Sequence, residues 1–211
     1  REKPFSVVLF DEIEKAHPRI LDKFLQILED GRLTDGRGET AYFSESILVF
    51  TSNLGIFVED EHGRRIQSVA PGDAHEVVAS RVRKAIQDYF KFRLSRPEIL
   101  NRIGDNIVVF GFITPEVGVQ IFDGMLRNVQ NRVRDEHKVD LVLEPAVREA
   151  LRELCTNDLS NGGRGIGNQL ESSFVNPLAR AMFRLPLAGR TEVRVTRLAE
   201  DENRIMSVEL E

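Results

Sequence analysis

Cysteine is nearly absent from this chain of 211 residues, since Cys155 is the only one. A single cysteine excludes both a disulfide framework and a zinc site built from cysteines. No apolar run approaches the roughly 18–20 residues that a helix needs to span a bilayer. No signal peptide is found, and the chain passes from Arg1 into a strand almost at once. We therefore expect a piece of a longer cytoplasmic protein without a membrane partner.

An excess of positive charge is also missing. The chain carries 29 Lys and Arg against 34 Asp and Glu, for a net charge of −5. Residues 1–110 hold 16 basic and 18 acidic side chains, and residues 111–211 hold 13 and 16, so neither half is basic. Proteins that bind nucleic acid usually show a basic domain or stripe. The composition therefore gives no indication of a nucleic-acid partner.

Residues 1–112 show the strand and helix pattern of an α/β layer. Short apolar runs at 5–10, 47–50 and 107–110 predict strands buried on both faces, as in a parallel sheet. Helical spacing follows Pro18 and extends over 74–92, and a short helix runs from Pro97 towards Ile103. A hairpin is predicted at 35–38 and a loop over 55–72. This alternation indicates a parallel-sheet α/β domain.

Residues 113–211 predict a second, smaller α+β domain. Thr114 and Pro115 are typical of a helix start, and that helix should run to about His137. A strand at 139–143, a helix from Pro145 to about Cys155 and a helix over 165–183 follow. Alternating strands at 192–197 and 204–209 close the chain. The Cys155 thiol falls on an apolar helix face and is predicted to be a core residue rather than a nucleophile.

Two carboxylates directly after the first strand are the strongest chemical signal. In open α/β sheets, ligands bind beyond the carboxyl ends of the strands, which is where Asp11 and Glu12 lie. One carboxylate there can hold a hydrated Mg²⁺ ion while its neighbour activates an attacking water. The alternative is an acidic strand end without catalytic function. His17 precedes a proline and is predicted to start a helix rather than to act as a base.

Three further polar residues stand where they could assist such chemistry. Asn53 ends the second buried strand, where a neutral amide can bind a water or a phosphate oxygen. Arg102 lies on a short helix, from which a guanidinium could reach a neighbouring subunit's phosphate. Arg164 follows two glycines at a helix start, where anions are favoured. Each also has an ordinary explanation: Asn53 could be a turn residue, Arg102 could form a surface salt bridge, and Arg164 could be a solvated arginine.

Taken together, these residues identify a family resemblance that covers nearly the whole chain in order. The segment at 7–18, Val-Val-Leu-Phe-Asp-Glu-Ile-Glu-Lys-Ala-His-Pro, resembles the Walker B segment in the second ATPase module of Clp-type AAA+ unfoldases. Residues 28–36 and the Thr-Ser-Asn-Leu-Gly segment at 51–55 resemble the next segments of that module, up to sensor 1. Residues 96–103 are similar to its arginine-finger segment. Gly163-Arg164 resembles its sensor 2, and residues 176–179 resemble part of its small C-terminal domain.

The resemblance implies a role for each candidate residue and a cofactor, ATP with Mg²⁺. Asp11 would coordinate Mg²⁺, Glu12 would activate water, and Asn53 would be sensor 1. Arg102 would act in trans on the adjacent protomer, and Arg164 would contact the ATP phosphates in cis. Family members form homohexameric rings that couple ATP hydrolysis to the threading or remodelling of unfolded or aggregated polypeptides, as chaperones of protein quality control.

Departures from the family pattern set limits on these expectations. No Gly-x-x-x-x-Gly-Lys-Ser/Thr loop occurs in the chain, so alone it should bind ATP poorly and hydrolyse it negligibly. Members that feed a barrel protease carry an Ile/Leu/Val-Gly-Phe/Leu tripeptide after sensor 1, and residues 56–72 contain none. A barrel protease stays open as a partner, although its docking tripeptide is not found. Gly104 also replaces an acidic residue common in the family.

Two other functions remain open at the level of sequence. The chain could be a non-catalytic oligomerisation or partner-binding module, although the complete set of candidate residues argues against this for the parent protein. It could also belong to a nucleic-acid helicase, because Asp11-Glu12 is similar to a helicase acidic box. The absence of basic bias argues against the helicase.

Overall fold

The computed structural model describes residues 5–59, 62–187, 189–200 and 206–211. The chain forms two compact units, residues 1–111 and 112–211. Both units combine helices with small sheets, and the first contains a parallel strand pair. The expected class, a parallel-sheet α/β part followed by a small α+β part, is confirmed.

The described strands of the first unit form three two-stranded sheets. They are β1 (Val7–Phe10), β2 (Arg32–Thr34), β3 (Thr40–Tyr42), β4 (Ile47–Phe50), β5 (Phe57–Glu59) and β6 (Arg65–Gln67). β1 and β4 are parallel, whereas β2 with β3 and β5 with β6 are antiparallel hairpins. The hairpin expected around residues 35–38 is therefore confirmed.

Helices of the first unit begin and end at residues that the sequence marks well. They are α1 (Pro18–Asp30), α2 (His75–Asp88) and α3 (Pro97–Ile103), with a 3₁₀ turn at Ile13–Lys15 and a π-helical segment at Tyr89–Arg93. His17 Nδ1 accepts the Arg19 N–H at 3.2 Å, which confirms its role as a helix-start residue. Gly31 ends α1 at a φ of 64°, a conformation that glycine adopts without strain.

Only one face of the β1–β4 pair is covered by helices. Phe10 and Phe50 stack with ring centroids 5.1 Å apart, and Phe24 of α1 packs edge-on against both rings. On the opposite face Val7 is 69% exposed and Leu9 is 60% exposed. The prediction of strands buried on both faces is therefore wrong, because α1 fills one side and no described element fills the other.

Residues 107–110 are extended but do not form the expected third strand. Side chains bind their carbonyls instead: Arg83 Nη2 donates to the Ile107 oxygen at 2.8 Å, and His75 Nε2 lies 3.1 Å from the Val109 oxygen. Val108 is 78% exposed and Phe110 is 88% exposed. β-branched and apolar composition predicted a strand here, but no described strand lies beside it to form a ladder.

The loop predicted over 55–72 is also wrong, since it contains the β5–β6 hairpin. Phe57 pairs with Gln67, Val58 with Ile66, and Glu59 with Arg65. Val58 and Ile66 supply the apolar cross-strand pair that a two-stranded ribbon needs. The charged residues around the hairpin tip hid this short alternation. Asp60 and Glu61, which the sequence assigns to a solvated loop, lie outside the described residues.

In the described part of the second unit, a helical layer packs on one three-stranded sheet. Its helices are α4 (Pro115–His137), α5 (Pro145–Thr156), α6 (Gly162–Leu170) and α7 (Asn176–Arg184). Its strands are β7 (Asp140–Leu143), β8 (Glu192–Glu200) and β9 (Met206–Leu210), in the order β7-β8-β9. β7 and β8 are parallel, and β8 and β9 are antiparallel.

Apolar side chains of every layer meet in the second unit's core. Phe122, Leu151, Ile166, Phe174 and Val193 are each 0% exposed. The helix predicted over 165–183 is confirmed, although a π-helical segment at Glu171–Val175 separates α6 from α7. Of the strand predicted over 204–209, residues 204 and 205 lie outside the described residues.

Candidate functional site

The carboxyl ends of β1 and β4 bring two sequence motifs together. Phe10 lies beside Phe50 in the parallel register, so Asp11 and Thr51 leave the sheet at the same edge. Backbone hydrogen bonds continue past the strands: Thr51 N–H donates to the Phe10 oxygen, and Ile13 N–H donates to the Thr51 oxygen, both at 3.0 Å. Residues 40 positions apart are therefore held side by side at the edge where α/β sheets bind ligands.

The Thr51 hydroxyl connects the two candidate carboxylate residues. Its oxygen accepts the Glu12 backbone N–H at 3.0 Å, and its hydrogen is donated to Asp11 Oδ1. A hydroxyl has one hydrogen and two lone pairs, so it can make both bonds at once. Thr51 thereby fixes the turn after β1 and one oxygen of Asp11. This role was not evident from the sequence, where the only signal was a hydroxyl residue directly after a strand.

Glu12 occupies an uncommon backbone conformation. Its φ of 54° and ψ of 54° lie in the left-handed region, which costs a residue other than glycine on the order of 1–3 kcal/mol. Such strain is found mainly where a side chain must be aimed for function. Glu12 Oε2 accepts a hydrogen bond from Lys15 Nζ at 2.8 Å, and this contact with Glu12 raises the pKa of Lys15.

Asn53 is exposed at the end of β4 and is held by Glu14. The Asn53 backbone N–H donates to Glu14 Oε1 at 3.1 Å. Tyr89 donates its hydroxyl to the Glu14 carbonyl at 3.2 Å, and burial raises the pKa of Tyr89. Glu14 Oε2 is buried without a hydrogen-bond partner among the described residues. Glu14 is thus a second residue whose role the sequence did not indicate, and it ties Asn53 to the turn that carries Glu12.

The donor set at this edge fits a hydrated Mg²⁺ ion better than a fully protein-ligated metal. No group of three or more His, Cys, Asp and Glu among the described residues could hold a metal. Mg²⁺ commonly keeps several waters and takes only one or two protein carboxylates. Asp11 is exposed, and Thr51 bonds to one of its oxygens, while the other accepts from no residue that the structure describes and could serve as such a ligand.

Arg102 lies in α3 and does not contact the carboxylates of the site. Its Nη2 is 3.3 Å from Glu29 Oε1 of α1, and the two side chains are 51% and 45% exposed. Exposed ion pairs contribute about 0–1 kcal/mol, so Arg102 can exchange this partner readily. Arg96, at the start of α3, donates to Asp22 of α1 at 2.8 Å and anchors the helix that carries Arg102.

Arg164 belongs to the second unit, where it is exposed in the first turn of α6. Gly162 starts that helix at a φ of 60°. Cys155 is 2% exposed in the core of the same unit, and burial raises the pKa of its thiol to about 11. The prediction that Cys155 is a core residue is confirmed.

Two family models match the chain in sequence order. The AAA domain (Cdc48 subfamily) matches residues 1–106, and the C-terminal D2-small domain of ClpB protein matches residues 113–195. The chain therefore belongs to the Clp-type AAA+ ATPases and corresponds to the C-terminal part of the second ATPase module, including its small domain.

Curated relatives agree with this family. The chain is 35% identical to heat shock protein 100 of Trypanosoma brucei brucei over 97% of this chain and 22% of the relative. It is 35% identical to the chloroplastic chaperone protein ClpC1 of Arabidopsis thaliana over 100% of this chain and 21% of the relative. Chaperone protein ClpB of Clostridium tetani is 35% identical over 87% of this chain and 20% of the relative.

Length is the main difference from these relatives, because the chain spans about a fifth of their length. Among the described residues, no helix is both long and apolar enough to cross a membrane.

Proposed function

We propose that this chain supplies the water-activating and sensing residues of an ATP-hydrolysing module in a longer Clp-type protein. The observation that carries the proposal is the convergence of Asp11, Glu12 and Asn53 at one sheet edge. Hydrogen bonds between the turn after β1 and the segment after β4 hold these residues, because Thr51 bonds to Asp11 and Glu12, and Glu14 accepts from the Asn53 N–H. The left-handed Glu12 within this network supports a functional role for the turn, since such conformations cluster at active sites.

Each site residue then has a distinct task. Asp11 holds the hydrated Mg²⁺ that accompanies ATP and neutralises phosphate charge when bound. Glu12 takes a proton from the attacking water with its carboxylate, which in this structure accepts a hydrogen bond from Lys15. Asn53 positions that water or a phosphate oxygen as sensor 1.

Two arginines that are not at the sheet edge also have tasks in this proposal. Arg102 leaves Glu29 and reaches the phosphates bound by an adjacent protomer, where it stabilises charge in the transition state. Arg164 contacts the phosphates bound by its own protomer. This assignment requires a ring, and the proposed assembly is a homohexamer that remodels or threads unfolded or aggregated polypeptide, in the cytoplasm.

The 211-residue chain by itself should be a poor enzyme. It contains no Gly-x-x-x-x-Gly-Lys-Ser/Thr segment to cradle the triphosphate, so we expect weak MgATP binding and negligible turnover. Tight MgATP binding to this chain in a calorimetric titration would contradict that expectation. Delivery to a barrel protease stays open for the longer protein, although residues 56–72 lack the docking tripeptide.

The decisive experiment compares ATP turnover of the longer protein, including its phosphate-binding loop, with its Glu12→Gln variant. Loss of a general base lowers turnover by about 10²–10⁴-fold, while the isosteric amide should leave nucleotide binding and ring assembly intact. Turnover that is absent, or that is unchanged in the variant, would reject the proposal and favour a non-catalytic assembly module instead.

A further inference from the structure

A groove of about 890 Å³ lies between the β5–β6 hairpin and α2 and includes none of the candidate site residues in its lining. Hydrogen bonds fix its walls: Ser68 N–H donates to the Ile56 oxygen at 2.9 Å, and Arg81 Nη1 donates to the Ser68 oxygen at 2.8 Å. Gly55 lets the hairpin base approach α2 so closely that an added Cβ would lie 2.8 Å from Val82 Cα. The groove is therefore fixed by the fold of the first unit.

Aromatic side chains give the groove an apolar surface that water can reach. Phe57 is 45% exposed and Phe92 is 76% exposed. The Arg65 guanidinium carbon lies 4.4 Å from the centre of the Phe57 ring, so a cation is stacked beside this apolar surface. Exposed aromatic surface next to a stacked arginine is common where proteins bind other proteins.

Positive charge exceeds negative charge around the groove. Among the described residues that line it, four are cations, Arg65, Arg81, Lys84 and Arg93, and two are acids, Glu59 and Asp88. Lys84 Nζ pairs with Asp88 at 2.8 Å, and Arg81 Nη1 lies 3.4 Å from Asp73. Arg93 is exposed and forms no salt bridge with any described residue. The local excess is opposite in sign to the chain's net charge of −5.

We propose that this groove binds an acidic peptide segment of a partner protein. An apolar side chain of the segment packs on Phe57 and Phe92, and its carboxylates pair with Arg65 and Arg93. Glu59 and Asp88 disfavour a nucleic acid, whose backbone carries a charge at every phosphate, more than a peptide in which apolar side chains separate the carboxylates. Added salt should weaken the binding of such a segment, because it screens the attraction between the carboxylates and the positive groove.

The test measures fluorescence anisotropy of a labelled peptide, Gly-Asp-Glu-Phe-Asp-Glu-Leu-Asp-Gly, titrated with the 211-residue chain. Two comparison probes are the same peptide with lysine at every acidic position and a single-stranded oligo-dT of matched charge. We expect saturable, salt-sensitive binding of the acidic peptide, and weaker binding of both comparison probes. No nucleotide is added, so the result does not depend on the ATPase proposal.

Variants localise the binding to the groove. Arg93→Glu and Phe92→Ala should each weaken the peptide's affinity by about tenfold or more, since each removes a central contact. Lys91→Glu is the matched control, because it makes the same charge change in the same π-helical segment at a residue outside the groove lining. It should change the affinity by less than about threefold. Circular dichroism checks that every variant is folded.

Three outcomes would overturn the proposal. The first is no saturable binding of the acidic peptide. The second is an equal loss of affinity in Lys91→Glu and Arg93→Glu, which would indicate general attraction to a positive surface. The third is binding of oligo-dT at least as tight as that of the peptide, which would assign the groove to nucleic acid. None of these outcomes affects the Glu12→Gln experiment, which tests the ATPase proposal separately.

Discussion

Replacing Gly55 with alanine tests how closely the chain after β4 approaches α2. Gly55 has a φ of 85°, and an added Cβ would lie 2.8 Å from Val82 Cα and 3.0 Å from Ala85 Cβ. A left-handed conformation costs an L-residue roughly 1–2 kcal/mol. Overpacking against a helix backbone costs about 1–3 kcal/mol more, because the backbone cannot rotate away as a side chain can.

Gly38 provides a matched control for the same substitution. Its φ is 87°, close to that of Gly55, but an added Cβ would meet nothing within 4 Å. Gly38→Ala therefore carries the conformational cost alone. Both variants also gain about 0.4–1 kcal/mol from a less flexible unfolded chain. We expect Gly55→Ala to lower the free energy of unfolding by about 2–4 kcal/mol and Gly38→Ala by about 0–1.5 kcal/mol.

Tyrosine fluorescence during urea unfolding measures this difference in the first unit. The chain has no tryptophan and two tyrosines, Tyr42 and Tyr89, and both lie in that unit. With a urea slope of about 1–3 kcal/mol per molar, the Gly55→Ala midpoint should fall by about 0.7 M or more. Equal midpoints for the two variants would refute the close approach of the chain at Gly55 to α2.

Three further predictions concern the site and the second unit's core. Thr51→Val in the longer protein should lower kcat by about 10- to 100-fold, because it removes a hydrogen bond to a charged group. Thr51→Ser keeps the hydroxyl and should keep most of the turnover. Equal rates for the two variants would contradict the positioning role of Thr51. Leu151→Ala, at a fully buried residue, should cost about 2–5 kcal/mol in urea unfolding followed by circular dichroism, and a loss under about 1 kcal/mol would contradict the packing. Burial raises the pKa of Cys155 to about 11. Iodoacetamide at pH ~8 should therefore alkylate the native chain at least about 100-fold more slowly than the urea-unfolded chain. Comparable rates would show that the thiol is accessible.

Helix ends were the most predictable part of the fold. Pro18 and Gly31 bound α1, and Thr114 caps α4 by accepting the Val117 N–H at 3.4 Å. These signals are local, because a cap or a proline acts on the backbone within one turn. Apolar spacing likewise predicted that Cys155 faces the core. Each of these features depends on neighbours within about four positions along the chain.

Strand environments were the least predictable part. Residues 107–110 are as apolar as β1 and β4, yet no described strand lies beside them, and arginine and histidine side chains bind two of their carbonyls instead. β1 has the apolar run of a doubly covered strand but is covered on one face. A strand becomes a strand only when another segment lies beside it, and composition does not reveal that neighbour.

The sequence by itself determined the family resemblance, the class of the fold, the helix ends and the candidate set Asp11, Glu12, Asn53, Arg102 and Arg164. Only the tertiary structure decided how the set is held: Thr51 bridges Asp11 and Glu12, and Glu14 holds Asn53. The physical reason is that β1 and β4 lie about 40 residues apart in the chain. A hydrogen bond between them exists only once the parallel register of the two strands is set.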